Sequence, residues 1–293
     1  MTSSLVSGVS ASNQVGSASF NGSATHAVLW SGTASSWQDL HPETANYSFC
    51  TSTDGARQVG VASFGLTPRE HAMLWYGSAN TALDLHPDGF NSSAAHSTNG
   101  NMHVGIGISN GQSNALLWTG ESNNAVVLNP QGFRSCNATS IFAGQQGGYG
   151  WRIDANSYHA LMWSGTASSA IDLHPEGFLS SQVYGVTGNL QVGFVSGIDS
   201  GHPNGFLHAC YWRGTATSAI DLHSLLPSTF VNSTATSVDP VTGSISGIAY
   251  DDLNIGYSVV WMSVPEPSTL SFIALASLAI FRKRSKVSSP HRE

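Results

Sequence analysis

Charged residues are scarce in this chain, and lysine is almost absent from it. Charged side chains make up 9% of the 293 residues, and residues 1–263 contain five arginines, no lysine and fifteen acidic residues. Contact with nucleic-acid phosphates requires clustered lysine or arginine, whereas the basic residues here gather only in the last dozen positions. The composition therefore argues against nucleic acid as a partner.

Cysteine is also scarce. Cys50, Cys136 and Cys210 lie far apart and form no C-x-x-C pair of the kind used for zinc or redox chemistry. We interpret them as small core residues. One disulfide with one free thiol is the alternative.

Catalytic and metal-binding signatures are missing as well. The chain contains no G-x-S-x-G, H-E-x-x-H, P-loop or dinucleotide-binding motif. The acidic stretches "DDLN" (251–254) and "STDG" (52–55) lack the ligand spacing of a calcium loop. We therefore expect no enzyme, no cofactor and no metal site.

The features that are present indicate a β-rich repeat array. Glycine is plentiful, helical periodicity is hard to find before residue 268, and tryptophan recurs at spacings of 45, 43, 45, 49 and 49 residues, at Trp30, Trp75, Trp118, Trp163, Trp212 and Trp261. Each unit carries four short strand signals, and turns such as "TDG" and "TNG" favour antiparallel hairpins. Units of this length and content are typical of propeller blades.

The predicted fold is an all-β, six-bladed β-propeller over residues 1–263. Seven blades and an open solenoid remain alternatives. The last unit lacks the "AIDLHP" strand signal, which leaves one blade a strand short. Either residues near "MSVP" supply a substitute, or a portion that would close the ring lies upstream.

Four units, the first, second, fourth and fifth, repeat a His, Trp, Asp, His pattern. The repeated residues are His26, Trp30, Asp39, His41, His71, Trp75, Asp84, His86, His159, Trp163, Asp172, His174, His208, Trp212, Asp221 and His223. Imidazoles and carboxylates could form a ring of metal or catalytic sites. They could instead form a hydrogen-bond network within each blade.

The third unit favours the network. It carries Asn114, Val127 and Asn129 in place of His, Asp and His, so three polar members are lost together. A mutually satisfied set predicts this, because one orphaned buried member costs more than replacing all of them. The tryptophans are likewise interpreted as packing between blades rather than as sugar-stacking platforms.

The repeats resemble a known family. The order "HAxxW", "DL" and "GNxQVG" is similar to the bacterial extracellular HAF repeat, although Val, Met, Leu or Cys replaces its Phe and "DLHP" replaces its "DLG". The resemblance covers about residues 5–262. It implies a secreted or surface β-rich array without assigned catalysis.

The C-terminal residues 264–293 resemble the PEP-CTERM sorting signal of Gram-negative bacteria. Its three parts are the motif Val264, Pro265, Glu266 and Pro267, an apolar run to Phe281, and the basic cluster Arg282, Lys283, Arg284 and Lys286. The resemblance implies processing at the motif by an exosortase-type enzyme. The run would form a short helix of about 21 Å, a transient inner-membrane anchor with its basic end in the cytoplasm.

The sequence therefore predicts an exported surface or extracellular-matrix protein with a structural or binding propeller. Met1 to Ser19 contain no recognisable signal peptide, so we expect the true start to lie further upstream. An extracellular polysaccharide is a candidate ligand. The rival functions are a carbohydrate-binding module and a propeller-fold polysaccharide lyase or glycoside hydrolase.

Overall fold

A computed structural model describes residues 1–20, 24–66, 69–203 and 205–262. The expected sorting motif, C-terminal helix and basic cluster lie outside these residues. Within the described part, no helix has both the length and the apolar character needed to cross a membrane.

The described residues form six antiparallel sheets in chain order, which confirms the all-β, six-bladed propeller. Blade 1 contains β1 (Ser3–Val9), β2 (Gln14–Ser19), β3 (Thr25–Trp30) and β4 (Gln38–Asp39), and blade 2 contains β5 (Tyr47–Thr53), β6 (Gln58–Phe64), β7 (Arg69–Trp75) and β8 (Leu83–Asp84). Blade 3 contains β9 (Ser92–Asn99), β10 (Met102–Ser109), β11 (Gln112–Thr119) and β12 (Ala125–Val127), and blade 4 contains β13 (Phe133–Phe142), β14 (Gln145–Arg152), β15 (Ser157–Trp163) and β16 (Ile171–Asp172).

Blade 5 contains β17 (Ser180–Thr187), β18 (Leu190–Gly197), β19 (Phe206–Trp212) and β20 (Ile220–Asp221). Blade 6 contains β21 (Phe230–Val238), β22 (Ile245–Asp251) and β23 (Gly256–Trp261), so its described sheet has three strands. This agrees with the absence of a final "AIDLHP" signal from the sequence.

The glycine that ends the "QVG" stretch recurs at the same position of each described second strand, and a close approach of backbones explains it. A side chain at Gly60 would place its Cβ 2.1 Å from the carbonyl oxygen of Phe49 on β5. Beside this contact, the pairing of β5 with β6 shifts register between Cys50 and Ser52. Glycine is therefore required because the bulged first strand presses against the second.

The tryptophans lie between neighbouring sheets. Trp75 packs in one cluster with Leu29 and Leu40 of the preceding blade. Trp118 donates its indole N–H to the carbonyl oxygen of Leu85 in blade 2, at 2.8 Å. These rings bury large apolar surfaces between successive blades and account for much of the core.

Blade 6 does not pack against blade 1 in the way that the other neighbouring blades pack against each other. Val6 is 54% exposed and Val9 is 70% exposed, whereas their counterparts Cys50 and Thr53 in blade 2 are 0% and 7% exposed. On the facing side of blade 6, exposed Ser246 and Ser258 stand where blade 1 has buried Val15 and Ala27. Ile248, which pairs with Ser258, is also 37% exposed. The end blades therefore each leave exposed a face that is covered in the other blades.

The repeated histidine, aspartate and serine sets

The first histidine and the aspartate of each set pair across two outer strands. In blade 1, His26 lies near the start of β3 and Asp39 ends β4, and the pairing of β4 with β3 brings His26 Nδ1 within 2.8 Å of Asp39 Oδ2. The other carboxylate oxygen accepts the backbone N–H of His41 at 2.8 Å. The aspartate thus orients the first ring and fixes the chain that carries the second.

The second histidine joins its blade to the next one. His41 Nε2 lies 3.1 Å from the carbonyl oxygen of Ala45, and its Nδ1 lies 2.8 Å from the hydroxyl of Ser48 on β5. Since a carbonyl can only accept, Nε2 carries the proton and Nδ1 accepts from the serine O–H. Ser48 Oγ in turn accepts the N–H of Ala27 on β3 at 2.9 Å.

The same set recurs in blades 2, 4 and 5. Its members are His71, Asp84, His86 and Ser93, then His159, Asp172, His174 and Ser181, then His208, Asp221, His223 and Ser233. Over the four sets, the first histidine to aspartate distance is 2.7–2.8 Å and the second histidine to serine distance is 2.8–2.9 Å. The two imidazole rings stack with centroids 3.9–4.1 Å apart.

Blade 3 replaces the whole arrangement with one amide. Asn129 Oδ1 accepts the N–H of Ala115 at 2.9 Å, the bond that the serine accepts elsewhere. Its Nδ2 donates to the carbonyl oxygen of Ser113 and to Asn114 Oδ1, each at 3.3 Å. Cys136 occupies the position of the serine. The backbone donor therefore stays satisfied although four side chains differ.

The serine is the member that sequence reasoning missed. Ser48, Ser93 and Ser181 each follow the second histidine by seven residues, and a three-residue extension separates His223 from Ser233. A serine at constant spacing, replaced by Cys136 after the unit that carries Asn114 and Asn129 in place of the two histidines, was the available signal. The abundance of serine in the chain hid it.

Burial keeps the second histidines neutral. The pKa values of His41, His86, His174 and His223 all lie below their ordinary value of 6.5, first because the rings are desolvated and next because another histidine stacks on each. This agrees with the tautomer assigned from the hydrogen bonds. The second ring of each set is therefore neutral near pH 7. We call its hydrogen-bonded contact with the serine of the next blade a joint.

Burial acts on the aspartates in the opposite direction, because it raises the pKa of a carboxyl group. Desolvation raises the pKa of Asp172, but hydrogen bonds from His159 and the His174 N–H, together with nearby Arg152, bring it below its ordinary value of 3.8. Asp221 has a lowered pKa for similar reasons. Arg152 Nη1 lies 3.2 Å from Asp172 Oδ2, a contact that only blade 4 makes among the described sets.

The sets have little capacity for a metal ion. Both nitrogens of each second ring in blades 1, 2 and 4 face a serine or a carbonyl, and Nδ1 of each first ring faces the aspartate. Among the described residues, no group of three or more His, Cys, Asp or Glu side chains is placed to hold a metal. The three cysteines are buried and free, and burial raises the pKa of each, to about 12 for Cys136 and Cys210.

Comparison with known proteins gives a likeness of fold. No protein-family model matches the chain, and no curated protein matches it. The propeller domain of the Trilobed protease from Pyrococcus furiosus, which is described as having an open velcro topology, matches with a TM-score of 0.55 at 8% identity, over 90% of this chain and 82% of that one. The shared feature is the β-propeller.

Two further structures are similar over only part of their length. A puromycin hydrolase S511A mutant complexed with PGG matches with a TM-score of 0.52 at 9% identity, over 88% of this chain and 51% of that one. TolB from Acinetobacter baumannii matches with a TM-score of 0.49 at 9% identity, over 72% of this chain. The chain spans about half the length of these two proteins.

Proposed function

We propose that this chain is an exported propeller that an exosortase-type enzyme sorts through residues 264–293, and that it serves at the cell surface or in the extracellular matrix. The propeller acts as a structural and binding element without catalysis. Its C-terminal segment is a substrate of the sorting enzyme and a transient anchor in the inner membrane.

The order of parts after the last blade carries the proposal. The last described strand ends at Trp261, and the motif begins at Val264, followed by an apolar run and then by four basic residues within five positions. Proline at 265 and 267 disfavours helix up to that point, and the fourteen residues 268–281 would span about 21 Å as a helix. The basic cluster favours a cytoplasmic end, which leaves the acidic propeller outside.

The charge distribution supports the same arrangement. All the lysines and half of the arginine and lysine total lie after residue 281, while the blades carry a net charge of about −10. The repeated titratable groups are engaged in joints between blades, which supports a scaffold role for them rather than a catalytic one. The propeller rim remains available for a ligand.

The proposal is tested by replacing Pro265, Glu266 and Pro267 together with alanine in the native host. The variant should be retained in the membrane fraction, and the wild-type chain should reach the surface or the medium. A matched variant with Ser288 and Ser289 replaced by alanine, downstream of the basic cluster, should behave as wild type. Equal release of the triple-alanine variant would contradict the proposal.

A second candidate, carbohydrate binding by the propeller, is favoured by the composition of one cleft between blades 5 and 6. A lyase or glycoside hydrolase would need unpaired acidic or basic groups in such a cleft. The residues that line this one carry no charge.

A further inference from the structure

A cleft of about 600 Å³ lies between blades 5 and 6, at the end of the propeller where β19 and β21 begin. Its polar lining comes from Ser196, Asn232, Thr234, Tyr250 and Asn254, and Phe206 forms part of its apolar wall. Among the residues that the structure describes, no Asp, Glu, Lys, Arg or His side chain lines it. In an acidic protein, this is a pocket without charge.

The connection that borders the cleft in blade 5 is longer than its equivalents in the other blades. The connection between β18 and β19 runs over residues 198–205, whereas the equivalent connection in blade 3 has two residues, Asn110 and Gly111. Asp199 organises the longer connection by accepting the N–H groups of Gly201 and His202, each at 2.8 Å.

A groove at the same end also lies between blades 2 and 3, where Glu70, Ser92, Ala94 and Ile108 hold the positions of Leu207, Asn232, Thr234 and Tyr250. The cleft between blades 5 and 6 differs from it in having a more polar lining without charge.

One hydrogen bond joins the two blades at the cleft. Leu207 N–H on β19 donates to Asn232 Oδ1 on β21 at 2.9 Å. This bond fixes the Asn232 amide so that its Nδ2 remains a free donor. The wall is thus positioned before any ligand arrives, which lowers the entropic cost of binding.

The other polar groups of the cleft are uncommitted. Four side chains of the cleft make no hydrogen bond to the protein within the described residues: Ser196, Thr234, Tyr250 and Asn254. None of their polar atoms is both buried and without a partner. Blade 2 gives a contrast. Its Tyr47 holds the same position as Asn232, one residue before the serine that contacts the preceding blade, and its hydroxyl donates to Glu70 at 2.8 Å. Free donors and acceptors therefore converge at one place.

We propose that this cleft binds an uncharged saccharide. Amides and hydroxyls can donate to and accept from the hydroxyls of a sugar, and the ring of Tyr250 can cover its C–H surface. Phe206 packs against His208 and His202 and supports the wall from behind. A uronate or phosphate ligand would call for arginine or lysine, and the lining has neither. This inference rests on the proposed binding role of the propeller and specifies its ligand class.

The test is calorimetric titration of the purified full-length chain with neutral hexasaccharides, namely cellohexaose, maltohexaose, mannohexaose and xylohexaose, and with anionic hexagalacturonate. At least one neutral probe should bind, and hexagalacturonate should bind more weakly. Tyr250→Phe removes one hydroxyl, and Asn254→Gly removes an amide at a position of positive φ that glycine tolerates. Each should weaken binding about threefold to tenfold, as expected for the loss of one hydrogen bond.

Tyr158→Phe provides the matched control, because Tyr158 is a partly exposed tyrosine on blade 4, away from the cleft. It should leave the affinity unchanged. Absence of binding by all four neutral probes at millimolar concentration would overturn the inference, as would neutral binding that the cleft variants do not weaken. Since the titration does not depend on export, its failure is separable from failure of the sorting proposal.

Discussion

Ser181 shows how much one small side chain contributes to the contact between two blades. It accepts the N–H of Ala160 on the preceding blade at 2.9 Å, its hydroxyl lies 2.9 Å from His174 Nδ1, and it is fully buried. Replacing Ser181 with alanine leaves a buried N–H and a ring nitrogen without partners. We expect the free energy of unfolding to fall by about 1–3 kcal/mol, as measured by urea denaturation.

Ser180 is the control for this change, because it lies next in the same strand, is less buried and makes no side-chain hydrogen bond within the described residues. Ser180→Ala should change the stability by less than about 0.5 kcal/mol. Equal effects of the two substitutions would contradict the assigned role of Ser181.

The second histidines contribute to the pH dependence of stability, together with His96 and His103, whose pKa values burial also lowers, to about 4 for His103. Their folded pKa values lie below 6.5, so the unfolded chain binds more protons in the window below that value. The contribution of these histidines to the free energy of unfolding is therefore present above pH 6.5, and it is lost as the pH falls through their lower pKa values in the folded state. The lowered pKa values of Asp172 and Asp221 add a loss of the same sign in stronger acid.

We expect the urea midpoint to decrease from about pH 7.5 to about pH 5. Circular dichroism at a series of pH values measures it. A midpoint that stays constant or rises over this range would contradict the neutral state assigned to these rings.

At the scale of the element, each set is expected to behave as one unit. Blade 2 can be given the blade 3 version by the changes His71→Asn, Asp84→Val, His86→Asn and Ser93→Cys. Because Asn129 alone satisfies the shared backbone donor in blade 3, the fourfold variant should lose less stability than the sum of the four single variants. We expect the difference to be at least about 1 kcal/mol.

A pair of changes in separate joints provides the control for non-additivity. Ser93→Cys and Ser181→Cys affect joints that share no side chain, so their effects on the free energy of unfolding should add. If the four changes within blade 2 also added, the side chains would act independently and the interpretation of the set as a unit would be wrong.

The sequence predicted the blades well because their signals are local. The spacing of the tryptophans and the Gly-containing turns indicated β7 and β11 and the hairpins that precede them, and the missing "AIDLHP" signal indicated a shorter last sheet. The joint serines were harder to predict, because each belongs to the blade after the histidine it contacts. Ser48 and His41 meet only once neighbouring sheets pack.

The fit between the end blades could not be predicted from spacing, because it depends on which residues face outward. The exposed Val6 and Val9 of blade 1 and the exposed Ser246 and Ser258 of blade 6 lie on two uncovered faces, which only the register of the strands reveals. The cleft between blades 5 and 6 was missed for a similar reason. Its lining comes from four strands and three connections.

At the scale of the whole molecule, the acidic propeller has a cleft with an uncharged lining at one end, and we propose that the segment after its last blade is a sorting signal. The blades supply rigidity through repeated joints, and the distinctive chemistry lies in the unrepeated parts. This division is typical of scaffolds whose function resides in loops and termini.

The most direct test of this account is the intact mass of the protein isolated from the envelope and medium of its native host. The account predicts a surface or medium form that lacks the residues after the Val264 to Pro267 motif, together with a minor full-length form in the inner membrane. A single full-length form confined to the cytoplasm would contradict it.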